Sequence, residues 1–422
     1  MENKKIKVVW VCHLSSEAIR RQLYFRKDIT GIIKKRQMFD FAKWNTNAIN
    51  EFKKMNDIDL HIISPHMQMS SRVQEFTMDG IHYHIFRPED DNFFFRLKRK
   101  VLKGKYQTPE YKYNTRTILS FIKSIKPDLI HLIGAENPYY SISALSMPKE
   151  IPLIVALQTL MIDPAFFNNY PISKKIYDYQ AKIERRVLER ADYVSIRSKR
   201  FIEIINQEIK PEPVILDMPL AVGEDITIAD YKKHYDFVYY AANISKAADW
   251  AVEAFAIANS KYPDTTLRII GGYHSDFKEK LDNRLKELGI TDKVTFTGSL
   301  PTHDDVINEV RKAKFALLPL KIDLISGTVR EAIANGLPVV TTITPATPKL
   351  NEKRESILIS EKSDFQAMAN NMCRLLKEEG LAETLRKNAA DELQERYSNE
   401  TAMKLWKENY YKVLKEWKEI KG

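Results

Sequence analysis

Two acids and a turn of small residues lie together in the second half of the chain and could bind a phosphorylated ligand. Asp323 and Glu331 bracket Ser326, Gly327 and Thr328, where a helix is predicted to begin. Free backbone N–H groups and the positive end of a helix dipole make such a turn an anion site. Glu331, one turn into the helix, could accept hydrogen bonds from two sugar hydroxyls. The spacing predicts a ligand with phosphate beside a sugar, such as a nucleotide-sugar.

The same segment also has a purely structural interpretation. Thr328 and Glu331 have the spacing of a capping box, in which their side chains satisfy backbone N–H groups at the helix start. Gly336 and Pro338 have the spacing of an ordinary turn from a helix to a strand. The segment alone leaves both interpretations open, and the rest of the chain favours the ligand site.

The segment from Asp323 to Pro338 resembles the acid-x7-Glu signature of family 4 retaining glycosyltransferases, which have the two-domain GT-B fold. In that family a Glu, a glycine-rich turn, a second Glu and Gly-x-Pro-Val-Val follow one another. Here the first acid is Asp323, and the turn is Ser326–Thr328. The resemblance implies that Asp323 holds the hydroxyls of the donor sugar, Glu331 holds the ribose, and the turn together with Lys246 holds the diphosphate.

A second part of the resemblance concerns the cation that neutralises the diphosphate. Residues 237–255 are similar to the family's strand, loop and helix, and Lys246 falls on its basic position. The Arg that accompanies this Lys in the family is absent, because Ala241–Asn243 occupy its loop. The leaving diphosphate needs positive charge in the transition state. The resemblance gives this role to Lys246, with Arg330 or Lys321 as compensating cations; a solvated turn lysine is the alternative.

Two glycine-containing loops complete the predicted donor site. Gly271 and Gly272 follow one predicted strand, and Gly298, Ser299 and Leu300 follow the next. In the family such loops face the donor, and the backbone of the second holds the base. Each loop alone is also an ordinary strand-to-loop turn, and it is their order and spacing that favour the donor site.

The acceptor side has four candidates in the first half. His13 follows the first predicted strand, where a structural role is equally well supported. His131 lies in a strand similar to the family's Pro-Asp-apolar-apolar-His strand, and Glu136 lies in the following loop. Gln158 stands where many relatives carry a His, so we expect no general base there.

Composition bounds the class of protein. The chain has 422 residues with 44% hydrophobic and 29% charged residues, which suits two soluble domains. No apolar run of about 18 residues predicts a transmembrane helix, and no signal peptide is expected. Cys12 and Cys373 are far apart in sequence and indicate buried thiols in a reducing compartment. We therefore expect a cytoplasmic protein, including one at the inner face of the membrane.

The positive charge belongs to the first half of the chain. Residues 1–215 carry 36 Lys+Arg and 24 Asp+Glu, a net +12, within a total of +10. Residues 93–106 combine three consecutive phenylalanines with basic residues. This composition suits peripheral contact with an anionic membrane, which would fit a lipid-linked acceptor; a helix whose Phe residues pack on the core is an equal alternative.

Alternating apolar runs and amphipathic stretches predict how these residues are positioned. The βαβ rhythm occurs twice, which predicts an α/β protein with two doubly wound parallel-sheet domains facing across a cleft. The expected domains are residues 1–215 and 222–400, with a C-terminal helix in 401–422 that packs back on the first. The strands predicted in the second half are Asp236–Ala241, Thr266–Ile270, Val294–Thr297, Phe315–Leu318, Pro338–Thr341 and Ser356–Leu358.

Other classes of function lack their motifs. The chain contains neither a Gly-x-Gly-x-x-Gly nor a Walker loop, and no His/Cys cluster has zinc spacing. His82 and His84 alternate on a predicted strand, which favours surface or packing roles, so no metal is expected. No cofactor is expected either, because the nucleoside-diphosphate sugar is a co-substrate.

Three functions therefore compete. The resemblance implies a metal-independent, retaining glycosyltransferase of surface-polysaccharide assembly, acting on a glycan or lipid-linked acceptor. The alternative is a catalytically degenerate GT-B scaffold that binds a nucleotide, glycan or protein partner without turnover. A nucleic-acid binder is disfavoured, because the chain lacks aromatic-basic RNA motifs and its charge is spread out.

Overall fold

The chain divides into two compact units, each with its own sheet and core. Residues 1–221 together with 399–422 form the first unit, and residues 222–398 form the second. The computed structural model describes residues 5–26, 40–91, 110–164, 173–221, 226–227, 229, 231–241, 247–321 and 327–421. Both units consist of mainly parallel strands alternating with helices, so the predicted class of two doubly wound α/β domains is confirmed.

The first unit contains an eight-stranded sheet among the described residues. Its strands are β1 (Ile6–Val11), β2 (Ile58–Pro65), β3 (Val73–Met78), β4 (Ile81–Phe86), β5 (Leu129–Ile133), β6 (Leu153–Ala156), β7 (Tyr193–Ser195) and β8 (Val214–Leu216). Their order is β3-β4-β2-β1-β5-β6-β7-β8, and only β3 and β4 pair antiparallel among these neighbours. The chain leaves β1 toward β2 on one side and reaches β5 on the other, so β1 and β5 form the topological switch point.

Helices flank this sheet because its central strands are apolar on both faces. All five residues of β5 are buried, as expected for a parallel strand covered on both sides. The helices of the first unit are α1 (Glu17–Gln22), α2 (Lys43–Phe52), α3 (Lys112–Ile125), α4 (Pro138–Ser141), α5 (Lys174–Arg190), α6 (Lys199–Glu208) and, at the end of the chain, α13 (Asn399–Lys421).

Helix α13 completes the core of the first unit from the far end of the chain. Its residues Trp406 and Tyr410 are buried against Trp10 of β1. The indole Nε1 of Trp10 donates a hydrogen bond of 2.9 Å to the Tyr410 hydroxyl, and the Trp406 indole donates one of 2.7 Å to the carbonyl of Pro219. The first unit is therefore built from two segments that are distant in sequence.

The second unit contains a six-stranded parallel sheet among the described residues. Its strands are β9 (Tyr235–Tyr240), β10 (Leu267–Ile270), β11 (Val294–Phe296), β12 (Ala313–Leu318), β13 (Val339–Thr342) and β14 (Leu358–Ser360). Their order is β11-β10-β9-β12-β13-β14, which is the doubly wound order with its switch point between β9 and β12. The helices are α7 (Ala248–Lys261), α8 (Ser275–Glu287), α9 (His303–Val310), α10 (Gly327–Ala334), α11 (Phe365–Lys377) and α12 (Leu381–Arg396).

One predicted strand of the second unit is displaced in the structure. The sequence predicts a strand at Ser356–Leu358, whereas β14 spans Leu358–Ser360. The backbone N–H groups of Ser356 and Ile357 donate to the side-chain oxygen of Asn351 at 2.9 and 3.0 Å, which holds them in a turn. A side-chain acceptor thus replaces the sheet partner of these two residues.

The structure also bears on membrane insertion. Among the helices in the described part of the chain, none is both long and apolar enough to cross a bilayer. Residues 93–106, the segment with the predicted membrane contact, lie outside the described residues.

Candidate functional site

In the second unit, those predicted donor residues that the structure describes lie near the carboxyl ends of parallel strands. The two glycine loops follow β10 and β11, and α10 follows the central strand β12. Open α/β sheets bind ligands at this edge, near the switch point. Lys246, Asp323 and Ser326 lie outside the described residues.

The two glycine loops are joined through their backbones. The N–H of Gly271 donates a hydrogen bond of 3.2 Å to the carbonyl of Gly298. Gly271 and Gly298 have φ angles of 134° and 69°, which side chains with a Cβ rarely adopt. Gly272 lies so close to Ser299 that a Cβ on it would be 2.0 Å from the Ser299 Oγ. The positive φ angles favour glycine at Gly271 and Gly298, whereas at Gly272 a side chain could be accommodated only if Ser299 moved.

The start of α10 is held against β9 by a tyrosine. Tyr240, the last residue of β9, is buried, and its hydroxyl donates a hydrogen bond of 2.7 Å to the carbonyl of Thr328. The next residue, Ala241, accepts one of 2.9 Å from the hydroxyl of Tyr273 in the first glycine loop. Gly327 is the first residue of α10, and no atom would lie within 4 Å of a Cβ added to it. The helix start, β9 and the first glycine loop are thus fixed to one another.

Glu331 in α10 contacts a histidine that the sequence analysis did not select. The Oε1 atom of Glu331 lies 2.6 Å from Nε2 of His303, the first residue of α9. Thr302 and Asp305 form a capping box that fixes the start of α9 and therefore the position of His303. The Thr-x-x-Asp spacing was the signal in the sequence that could have identified this position. Only 14% of the Glu331 side chain is exposed, which suits a carboxylate with a defined orientation.

Three other predicted donor-side residues have partners within the unit. Arg330 is buried, and its guanidinium lies 5.0 Å from the centre of the Tyr397 ring. The ammonium of Lys321 lies 2.8 Å from the carboxylate of Asp249. Leu300 is partly buried and packs against the hydrophobic core. Arg330 and Lys321, the two cations that could compensate for the missing Arg, thus already have partners within the unit.

In the first unit, His13 and Glu136 follow the two strands of the switch point, β1 and β5. The Nδ1 atom of His13 lies 2.8 Å from the hydroxyl of Tyr139, and the two rings stack with an interplanar angle of 12°. Burial lowers the pKa of His13 to about 4. His13 is therefore neutral near pH 7 and can donate from one ring nitrogen and accept at the other.

Gln158 joins Glu136 in the same cluster. With its amide oriented to satisfy both ends, Gln158 donates to Oε1 of Glu136 at 3.2 Å and accepts from the indole N–H of Trp44 at 3.1 Å. Asn137 donates to the same carboxylate oxygen at 2.7 Å. Burial raises the pKa of Glu136 to about 7, so this group changes charge in the neutral range. His13, Glu136 and Gln158 thus supply two neutral polar groups and one titrating carboxyl at this edge of the sheet.

Glu184 is a second buried carboxyl, and the sequence analysis did not select it. It is completely buried in α5, and the N–H of Ile162 donates to it at 2.9 Å. Burial, followed by a contribution from Glu136, raises the pKa of Glu184 well above its usual value. In the sequence, Glu184 occupies the same helical stripe as Leu188 and Ala191. An acid within an apolar stripe was the available signal.

His131 does not join the other acceptor-side candidates. It is completely buried beneath α13, with Nδ1 2.7 Å from the Tyr410 hydroxyl and its ring 4.7 Å from that of Trp406. Burial lowers its pKa to about 3. The contacts of His131 hold α13 on the sheet.

Comparisons with known proteins match these observations. Residues 236–378 match the model of the family described as glycosyl transferases group 1. An uncharacterized glycosyltransferase of Haemophilus influenzae is 29% identical over 132 residues, which cover 31% of this chain and 36% of that protein. The match thus spans only about a third of that relative's length.

Two solved structures are similar over nearly the whole chain. Sucrose-phosphate synthase from Thermosynechococcus elongatus has a TM-score of 0.67 and 15% identity, covering 97% of this chain and 99% of that one. The pneumococcal O-GlcNAc transferase GtfA, in complex with UDP and GlcNAc, has a TM-score of 0.61 and 13% identity with the same coverage. At these identities the likeness shows the fold, which is GT-B.

Proposed function

We propose that the protein transfers a sugar from a nucleoside-diphosphate sugar to a glycan or lipid-linked acceptor, because residues 236–378 match the model of group 1 glycosyl transferases and the fold is GT-B. The observation that carries this proposal is where the family match falls. It includes both glycine loops and Glu331, which follow β10, β11 and β12 at the edge where a doubly wound sheet binds nucleotides.

Glu331 is proposed to bind the ribose of the donor. His303 lies against Oε1 of its carboxylate, so a ligand hydroxyl would use the other oxygen, Oε2. The contact with His303 fixes the orientation of the carboxylate before the ligand arrives, which lowers the entropic cost of binding. At Gly298 a side chain would meet open space among the described residues, so this loop is proposed to bring its backbone close to the nucleotide.

The chemistry is proposed to proceed with retention and without a metal. Lys246 and the N-terminal turn of α10 would stabilise the charge that develops on the leaving diphosphate. Asp323 would hold the hydroxyls of the donor sugar. Lys321 and Arg330 already have an ion pair and an aromatic contact, respectively, so Lys246 carries more of this stabilisation in the proposal.

The acceptor is proposed to contact the cluster of His13, Glu136 and Gln158. A neutral imidazole and an amide can each donate and accept, which suits an acceptor rich in hydroxyl groups. Glu136, with a pKa near 7, can accept a hydrogen bond from the attacking hydroxyl when it is ionised. A lipid-linked acceptor would agree with membrane contact by residues 93–106, which sedimentation with anionic vesicles would test.

The decisive experiment is a screen of donors read by nucleotide release. UDP-GlcNAc comes first, because GtfA shares the fold and is in complex with UDP and GlcNAc; other UDP-, GDP- and dTDP-sugars follow. Release that requires both intact donor and acceptor supports the proposal. Nucleotide binding by calorimetry without release from any donor, across a panel of glycan and lipid acceptors, would favour the scaffold that binds without turnover.

A further inference from the structure

A cluster of histidines and one aspartate lies on the first sheet, apart from the proposed acceptor residues. In the pairing of β2 with β4, His61 lies directly opposite His82, and Ile63 lies opposite His84. Asp59 lies two residues before His61 and therefore on the same face of the sheet. The opposite face carries the apolar residues of both strands, which belong to the core. The pleat thus places Asp59, His61, His82 and His84 on one side of the sheet.

Three of these side chains have the spacing of ligands around one metal ion. The Oδ1 atom of Asp59 lies 3.4 Å from Nε2 of His61 and 3.3 Å from Nε2 of His82. One ligand atom from each of the three residues lies within 4.8 Å of the others. Ligands bound about 2.0–2.2 Å from a tetrahedral zinc ion are about 3.3–3.6 Å apart. Both distances from Asp59 therefore agree with this coordination.

The remaining ring nitrogens are held by a second layer of polar groups. Nδ1 of His61 lies 3.0 Å from Nε2 of His84, and Nδ1 of His82 lies 3.0 Å from the hydroxyl of Thr77. His84 in turn lies 3.6 Å from the carboxylate of Glu75. Metal-binding histidines are commonly oriented in this way through their second nitrogen. Nε2 of both His61 and His82 is then directed toward Asp59.

The chemical state of the cluster also suits a metal. Nε2 of His61 is buried and makes no well-directed hydrogen bond among the described residues, although Oδ1 of Asp59 lies 3.4 Å away. This ring nitrogen is therefore available as a ligand atom. The side chain of His82 is 40% exposed, which gives an ion access from solvent.

We propose that Asp59, His61 and His82 form a binding site for a transition-metal dication of the zinc class, with a fourth position open to water. Two imidazoles and one carboxylate are a ligand set that zinc accepts. The sequence favoured packing roles because it showed only the alternation of His82 and His84; the sheet adds the other two ligands. The site joins β2 to β4 before these strands reach their carboxyl ends, and it does not depend on the proposed transferase activity.

The test measures metal binding by tag-free, chelator-treated full-length protein. Zn²⁺ is titrated against a chromophoric chelator, and Co²⁺ binding is followed by its visible absorption, which reports tetrahedral coordination. We expect one equivalent to bind and to raise Tm. His82→Ala removes an exposed ligand and should weaken binding beyond the roughly 10–100-fold typical of losing an outer partner.

Matched variants separate the site from nonspecific binding. His234→Ala removes an exposed histidine of the second unit and should bind the metal as the unmodified protein does. Asp59→Asn should lose most of the affinity, and Thr77→Val, which removes only an outer contact, should lose less. Equal binding by the unmodified protein and His82→Ala, or no binding by the unmodified protein, would overturn the proposal.

Discussion

The two sheets differ in the chemical groups that lie at the carboxyl ends of their strands, which we call the first edge and the second edge. In the first unit, the edge carries buried titratable side chains set among aromatic rings, with His13 stacked on Tyr139 and Glu136 held by Gln158. In the second unit, the described part of the edge combines glycine backbone with a contact between Glu331 and His303. The first edge changes its charge with pH, whereas the second presents fixed backbone dipoles. We therefore expect pH-dependent ligand binding in the first unit and phosphate binding in the second.

The largest expected effect tests whether turnover at the second edge depends on the positive charge of Lys246. Lys246→Ala should lower turnover by roughly a hundred- to a thousandfold with a smaller effect on donor binding, because charge grows on the leaving group in the transition state. Lys246→Arg should retain part of the activity, since it keeps the charge with altered geometry. Single-turnover kinetics measure both.

Lys280→Ala, on the exposed face of α8, is the matched control and should leave the rate unchanged. A near-normal rate for Lys246→Ala would mean that Lys246 does not stabilise the leaving diphosphate. Another group, such as the backbone N–H groups of the second edge, would then supply this stabilisation.

The next effect tests the charge change of the first edge. Burial raises the folded-state pKa of Glu136 from 4.5 to about 7, so the folded protein binds a proton more tightly than the unfolded chain. The stability that the protonated group provides is present below about pH 4.5 and is lost as pH rises through about 7. This loss amounts to roughly 3 kcal/mol.

Glu136→Gln has no such loss, so its stability relative to the unmodified protein should increase between pH 5 and pH 8. Urea denaturation at several pH values measures this difference. Glu150→Gln, at an exposed glutamate, is the control and should follow the unmodified protein. Parallel pH profiles for Glu136→Gln and the unmodified protein would show that the first edge is no more pH-sensitive than the second.

A smaller effect is expected from the acid of the second edge. Glu331→Ala should weaken binding of a nucleoside diphosphate about ten- to a hundredfold, because hydrogen bonds to a charged acceptor contribute about 1.5–3 kcal/mol. His303→Ala should weaken it less, since the carboxylate remains but loses its fixed orientation. Calorimetry measures both, with Glu279→Ala on α8 as the control. Unchanged affinity in a folded Glu331→Ala protein would remove Glu331 from the site.

The smallest effect tests the close approach of the glycine loops. Gly272→Ala places a methyl group 2.0 Å from the Oγ of Ser299, which must rotate away. Because a hydroxyl can move, we expect a cost near the lower limit for overpacking, about 1 kcal/mol of stability. Ser299→Ala combined with Gly272→Ala should recover most of it in thermal denaturation. A double variant no more stable than Gly272→Ala would locate the strain in the backbone instead.

The sequence predicted the alternation of strands and helices well, because buried parallel strands are nearly continuous apolar runs. It missed both edge strands of the first sheet, β3, whose residues alternate between exposed and half-buried, and β8, which has only three residues. The sequence also placed Glu331 beside a strand end, but not His303 beside Glu331. That contact joins residues 28 positions apart and depends on how two helices follow their strands.

Other contacts between residues distant in sequence were also visible only in the structure. His61 and His82 face each other only once β2 and β4 pair in register, which no local pattern reveals. His131 lies in a strand that was predicted correctly, yet its contacts come from a helix at the other end of the chain. Periodicity predicts which face of an element is buried, but the partner on that face is a tertiary property.

The hydrogen bond between Trp10 and Tyr410 has a consequence for the order in which the protein matures. The two residues are 400 positions apart, so a ribosome must make nearly the whole chain before this contact can form. The second unit is continuous in sequence and can complete its sheet earlier. Contacts between distant segments form slowly, because a long loop must be closed first. During synthesis, the first unit therefore exposes the side of its core that contains Trp10 until α13 has been made. At this stage a chaperone would find apolar surface to bind.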